Sequence, residues 1–299
     1  MEVERKYVLT DKTIIVDGRV LHRIEAVGKF RRRLANQLGG WIEKEANLSH
    51  SGKCWVFDNA KVYEDARIYE DAKVSGDAKV FGDAQIYCKA KIRENALVCG
   101  NAQIEDEADI SGNACVCGCA RVYDKAKVYG DARVQDYATI IDKARVYQCA
   151  FVHKHACICG NAIVRDKADV GGLATIKDNA IISGYAQIRG IPTIRGKARI
   201  IATALIDDTC TYTGDAIIRN YKDFITIKNC WSSGREILYT RSNEKWCVGC
   251  FYGTGEELIK KAYADSEAKG KCYEAIVNSV NTIFKAMQEE EEKNEQERT

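Results

Sequence analysis

Three cysteines stand at alternate positions in "ISGNACVCGCARVY" (Ile110–Tyr123), namely Cys115, Cys117 and Cys119. Thiols at that spacing suit soft-metal ligation or thiol–disulfide exchange. A second group, Cys247-Val-Gly-Cys250, has the spacing of half a zinc site, which Cys230 and Cys272 would have to complete. Of the four histidines, His22, His50, His153 and His155, the last two flank a single residue and are the candidates for proton transfer or metal binding. A basic and aromatic set, Lys73, Lys91, Arg93, Lys127, Tyr129, Arg145, Tyr147 and Arg165, has the residue types that attract a phosphorylated or polyanionic ligand.

What positions these residues is a repeat. Every sixth residue from Val56 to Ile206 is Val or Ile. Four positions later stands Ala, from Ala60 to Ala186, interrupted at Pro192 and resumed at Ala198 and Ala204. A helix would scatter residues six apart over different faces, so the period requires short strands. The branched residue points inward and its two neighbours point outward. Two residues after it comes a turn residue, often Gly (Gly76, Gly100, Gly118) or Asp (Asp58, Asp106, Asp142), types that tolerate left-handed backbone or bond locally. The small Ala then packs at the corner. By this register Cys115 and Cys117 flank the inward Val116 on one flat face, and Cys119 belongs to a corner. Thiols two apart on a strand sit about 6.5 Å apart, a poor match to tetrahedral ligation. Cys157 and Cys159 repeat the outward pair on another face, as variable surface positions would. Read as a strand, "KWCVGCFYG" turns Cys247 and Cys250 to opposite sides.

The hexads, well shown by "VYGDARVQDYATIIDKARVY" (Val128–Tyr147), resemble the hexapeptide-repeat superfamily from about Val56 to Ile218. The resemblance implies an all-β solenoid, a left-handed parallel β-helix of about nine coils, three hexads to the coil. Cys99 then stacks on Cys117, and Gln135 and His153 continue the same ladder. With "LGGWIEKEANLS" before the hexads and "CVGCFYGTGEEL" after them, the whole chain resembles uncharacterised bacterial and prophage hexapeptide-repeat proteins that carry transferase-like or polymer-forming-like labels. Four regions are expected: an N-terminal β-hairpin and cap (1–53), the solenoid (54–219), a small C-terminal α+β domain (220–288) and a frayed acidic tail (289–299). The cap reads as a hairpin over Lys6–Phe30 turning at Asp17-Gly18, with Trp41, Ile42 and Leu48 plugging the first coil. The C-terminal domain reads as three short strands and two helices, the first opened by a Thr254–Glu257 capping box.

Acyl transfer is the activity the resemblance brings, with acyl-CoA as donor and a histidine between subunits of a trimer as base; His153 is the candidate. No insertion interrupts the hexads around it to enclose such a site. A three-histidine zinc centre lacks its third histidine. Cys99, Cys115 and Cys117 share a face and are the remaining metal candidates. Basic residues concentrate on the flat faces and acids at the corners, which favours either an anionic ligand or a surface that pairs with itself. The reading is a non-enzymatic scaffold or binding protein, a homo-oligomer (trimer or dimer), without a cofactor. A charged N-terminus and 14 cysteines without an apolar leader point to a reducing cytoplasm. No apolar run approaches the ~18 residues of a membrane span.

Overall fold

The computed structural model describes residues 5–27, 37–230 and 234–297. The hexads build a parallel β-solenoid of 28 short strands, β4 (Trp55–Val56) to β31 (Ile217–Ile218). All have two residues except Gln187–Gly190 and Leu205–Asp208. Successive strands fall on three faces, so each residue pairs in register with the one 18 positions on, as Lys91 with Asp109 and Val98 with Val116. Face one carries Lys61–Val62, face two Arg67–Ile68 and face three Trp55–Val56, each with the strands stacked on it. The inward Val and Ile and the corner Ala residues are fully buried through almost the whole array. Each buried aliphatic side chain is worth about 2 kcal/mol over exposure.

The corners explain the acids. The turn residue takes a left-handed φ, as in Asp58 (51°) and Asp142 (59°). Its carboxylate accepts from the backbone N–H one coil further on. Gly76 donates to Asp58 at 3.0 Å, Gly112 to Glu94 at 2.8 Å and Gly160 to Asp142 at 2.8 Å. These side chains tie coil to coil as well as fitting the turn.

The solenoid has about ten turns, one more than the hexads count. The additional first coil is irregular in sequence. It consists of β3 (Leu38–Ile42), Leu48 and β4, which pair in parallel with the coil above through Ile42–Val62, Leu48–Ile68 and Val56–Val74. A 3-10 turn at Glu45–Asn47 replaces the hexad corner there. Strands β1 (Tyr7–Val16) and β2 (Arg19–Ala26) form the expected hairpin through Asp17 and Gly18, both at positive φ, and extend face one. The end of the expected hairpin, 28–30, lies outside the described residues. Ile42 and Leu48 plug the first coil as expected, joined by Tyr7, whose hydroxyl donates to the Leu48 carbonyl at 2.8 Å. Trp41 does not plug it. Register turns it outward, under the Arg23 guanidinium 4.8 Å from its ring.

The C-terminal domain has four antiparallel strands rather than three: β32 (Phe224–Lys228), β33 (Glu236–Thr240), β34 (Lys245–Val248) and β35 (Phe251–Gly253). "EKWCVGCFYG" is a hairpin, folded at Gly249-Cys250, because Gly249 supplies a φ of 57°. Helix α1 (Gly255–Asp265) opens on the expected capping box and packs with α2 (Glu267–Gln296) on this sheet. Trp246, Leu258, Val277, Val280 and Phe284 form their core. Leu238 and Cys247 pack into the solenoid core instead and close its last coil. Tyr252 lies against the last coil so closely that a Cβ on Gly214 would fall 1.8 Å from its hydroxyl. The acidic segment expected to fray from residue 289 is helical through Gln296. Glu291 anchors it, paired with Arg241 at 2.9 Å and Lys222 at 3.9 Å. No helix among the described residues is long and apolar enough to cross a membrane.

Candidate functional site

All eight basic and aromatic candidates lie on face three. Lys73, Lys91, Lys127 and Arg145 share the slot before the inward residue, with Asp109 between the second and third. Arg93, Tyr129, Tyr147 and Arg165 occupy the slot after it. Not all are available to a ligand. Arg93 holds Asp109 with two hydrogen bonds, 3.0 and 2.6 Å. Arg165 Nε lies 4.0 Å from Asp166. Tyr129 and Tyr147 stack on each other, centroids 4.8 Å apart and planes within 3°, so each ring already covers one face of the other.

The lysines differ. At the edge where face three meets the corner from face two, a groove of about 620 Å³ is lined by Lys53, Lys73, Lys89, Lys91, Lys125 and Lys127 with Asp71, Glu107 and Asp109. Lys125 approaches Glu107 at 3.8 Å. Among the described residues, no carboxylate lies within 4.0 Å of the other five ammonium groups, whereas Arg93 has already taken Asp109. Same-slot lysines one coil apart are separated by about 4.8 Å at the backbone. Such like charges repel by up to about 1 kcal/mol per pair in water. An anion in the groove converts that repulsion to attraction. Sequence reasoning missed Lys53, Lys89 and Lys125, because they sit in corner slots that are mostly acidic elsewhere.

Face one gathers the thiols. Cys99 stacks on Cys117, the Cys99 amide donating to the Val116 carbonyl at 3.0 Å, and Cys115 shares the strand with Val116. Hydrogen bonds from Cys115 and then Cys99 pull the Cys117 thiol far below its usual range; burial opposes this and Arg133 assists. Cys99 and Cys115 are correspondingly pushed up, first by their bonds to Cys117 and then by burial. Cys117 thus lies near enough to both neighbours for them to shift its thiol. Even so, they do not make a set of three ligand atoms all within 4.8 Å of one another. Cys119 is at the corner. Cys157 and Cys159 lie on face two, both raised chiefly by burial.

The C-x-x-C group is split by the hairpin. Cys247 is buried against the solenoid, its thiol raised by burial, while Cys250 is exposed in the turn. Cys230 is exposed at the end of β32 and Cys272 lies on α2. These four do not converge on one point within 4.8 Å.

His153 Nε2 lies 2.9 Å from Asp169 Oδ1. Its ring stacks on Phe151 at 4.5 Å, and a Cβ on Gly171 would come within 2.5 Å of it. The packing holds the ring flat on face one. His155 is at the adjoining corner, stacked on Tyr137 at 4.9 Å, so the two histidines diverge. The coils from 56 to 218 run without an inserted loop over either ring.

Compared with known proteins, the chain matches no protein-family model and no curated protein sequence.

Proposed function

We propose that the protein is a non-catalytic scaffold or binding protein of the hexapeptide-repeat kind, and that it holds an extended anionic ligand in the lysine groove of face three. The observation that carries this is the row of six lysines lining one groove, five of them with no carboxylate within 4.0 Å among the described residues. From Lys53 to Lys127 the groove follows the axis over five coils, about 19 Å. A chain with repeated phosphate or carboxylate groups matches that length better than a single anion does. The rigid coil sets the charge spacing in advance, so little ordering is needed on binding.

The protein is a homodimer or homotrimer in this reading. A partly apolar ridge supports it: Tyr137, Leu173 and Ile191 line one corner at 59%, 51% and 53% exposure, with His155 between the first two, away from the groove. The bacterial or prophage origin suggested by the flanking motifs is part of the same proposal. The test is binding of long-chain inorganic polyphosphate by isothermal titration at low and high salt, with light scattering to give the oligomer. Binding that weakens with salt and falls in Lys91→Glu supports the reading; binding indifferent to both overturns it.

A further inference from the structure

The seam between the last coil and the C-terminal domain contains a group that neither the repeat nor the lysine groove accounts for. Cys210 falls in the slot that holds Ala in nearly every other hexad, and Tyr212 falls in the Val/Ile slot. Asp208, two residues after the inward Ile206, occupies the turn slot but stays extended as the last residue of its strand. Its carboxylate turns back, accepting from the Cys210 amide at 3.0 Å and from the Tyr212 hydroxyl at 2.6 Å. Glu236, at the start of β33, reaches across from the other domain. Its Oε2 accepts from the Thr209 hydroxyl at 2.7 Å, the Thr209 amide at 3.1 Å and the Cys210 thiol at 3.1 Å.

One oxygen of Asp208, the sulfur of Cys210 and one oxygen of Glu236 all lie within 4.8 Å of one another, the one such set among the described residues. No ammonium or guanidinium lies within 4.0 Å of either carboxylate among those residues. A cavity of about 220 Å³ opens beside them, lined by Thr209, Cys210, Glu236 and Cys247, with Arg235 packed over Gly249 on its wall. Cys247 is a second, independent pointer. It is 7% exposed and lines this cavity, and its thiol makes no hydrogen bond among the described residues, although its sulfur stands outside the 4.8 Å set.

We propose that Asp208, Cys210 and Glu236 bind a divalent cation of the zinc class that joins the last coil to the C-terminal domain, and that Cys247 turns in from the cavity wall to become the fourth donor. Two sulfurs with two carboxylate oxygens favour Zn²⁺ or Co²⁺ over Mg²⁺ or Ca²⁺, which take oxygen ligands. On binding, the Cys210 and Cys247 S–H bonds break, each sulfur keeps its electron pair and donates it to the cation, and two protons leave to solvent. Glu236 exchanges the thiol proton it now accepts for the cation. No oxidant or reductant is needed.

The test uses the full chain, kept reduced, stripped with a chelator and titrated with Co²⁺. One equivalent binds and gives a near-ultraviolet thiolate-to-cobalt absorption that Zn²⁺ displaces. Cys210→Ser and Glu236→Gln each weaken binding at least tenfold, and Cys210→Ser and Cys247→Ser each diminish the thiolate band. Joint replacement of Cys99, Cys115 and Cys117 by Ser leaves binding and band intact. No thiolate band at saturating Co²⁺, a band unchanged in Cys210→Ser, or a band lost with the face-one cysteines would each overturn the proposal. Should Cys210→Ser fail to fold, Glu236→Gln and Asp208→Asn decide it, since tight one-equivalent binding undiminished in both is equally fatal.

Discussion

Replacing Asp142 separates its two structural tasks. It holds a left-handed φ of 59° at a corner, and its carboxylate accepts from the Gly160 amide of the next coil at 2.8 Å. Asn keeps both properties, because its amide oxygen also accepts and Asn tolerates that backbone. The expected loss is below about 0.5 kcal/mol. Gly keeps the backbone and loses the acceptor, costing about 1 kcal/mol for an exposed hydrogen bond. Ala loses the acceptor and adds about 1 kcal/mol for left-handed backbone, about 2 kcal/mol together. Each coil contacts only its neighbours, so the effect belongs to this part of the array. Hydrogen exchange at the Gly160 amide reads it directly, accelerating about fivefold in Gly and about thirtyfold in Ala. Equilibrium denaturation gives the order Asp ≈ Asn > Gly > Ala. If Ala and Asn prove equally stable, or Gly160 exchange does not respond, the account of the corner acids is wrong.

Two further outcomes follow from other parts of the structure. Arg241→Ala releases Glu291 and frays α2 beyond Met287, seen as faster exchange over residues 288–296 with the solenoid unaffected. Acid does the same in the wild type. The hydrogen bond from Arg241 holds the Glu291 carboxyl below its usual range, so its contribution is present above the unfolded pKa and disappears as pH falls through the lowered folded value. On face one, iodoacetamide at neutral pH modifies Cys117 before Cys99 or Cys115. Converting Cys99 and Cys115 together to Ala removes that preference, whereas retention of it in the double variant would show that the neighbouring thiols do not activate Cys117.

The hexads were legible because each inward Val or Ile meets the equivalent residue one coil away, so one local rule repeats through the chain. The rule fails where the neighbouring coil is missing. Trp41 and Leu48 belong to a first coil whose early slots are out of frame with the hexads that begin at Val56, and Cys210 and Tyr212 fill the Ala and Val/Ile slots of the last coil, where the C-terminal domain packs. The face-three candidates were placed correctly by register, yet register alone could not tell that Asp109 would take up Arg93 or that Tyr129 would face Tyr147. Lys89 and Lys125 went unnoticed as corner residues, although the corner borders the same groove. The seam group was hidden for a different reason: Asp208 and Glu236 are far apart in sequence and belong to elements with different periodicities. "KWCVGCFYG" was misread as one strand because its Gly turn is short and apolar residues continue on both sides of it.

If the groove lysines form one anion-binding row, charge reversal within that row must disrupt binding where reversal elsewhere does not. Polyphosphate binding by the Lys91→Glu/Lys127→Glu double variant is compared with wild type and with Lys154→Glu, at another corner. At least a tenfold loss, about 1.4 kcal/mol, is expected in the double variant at low ionic strength, with near-wild-type binding in Lys154→Glu. Equal losses in both variants, or none in either, would contradict a single anion-binding row.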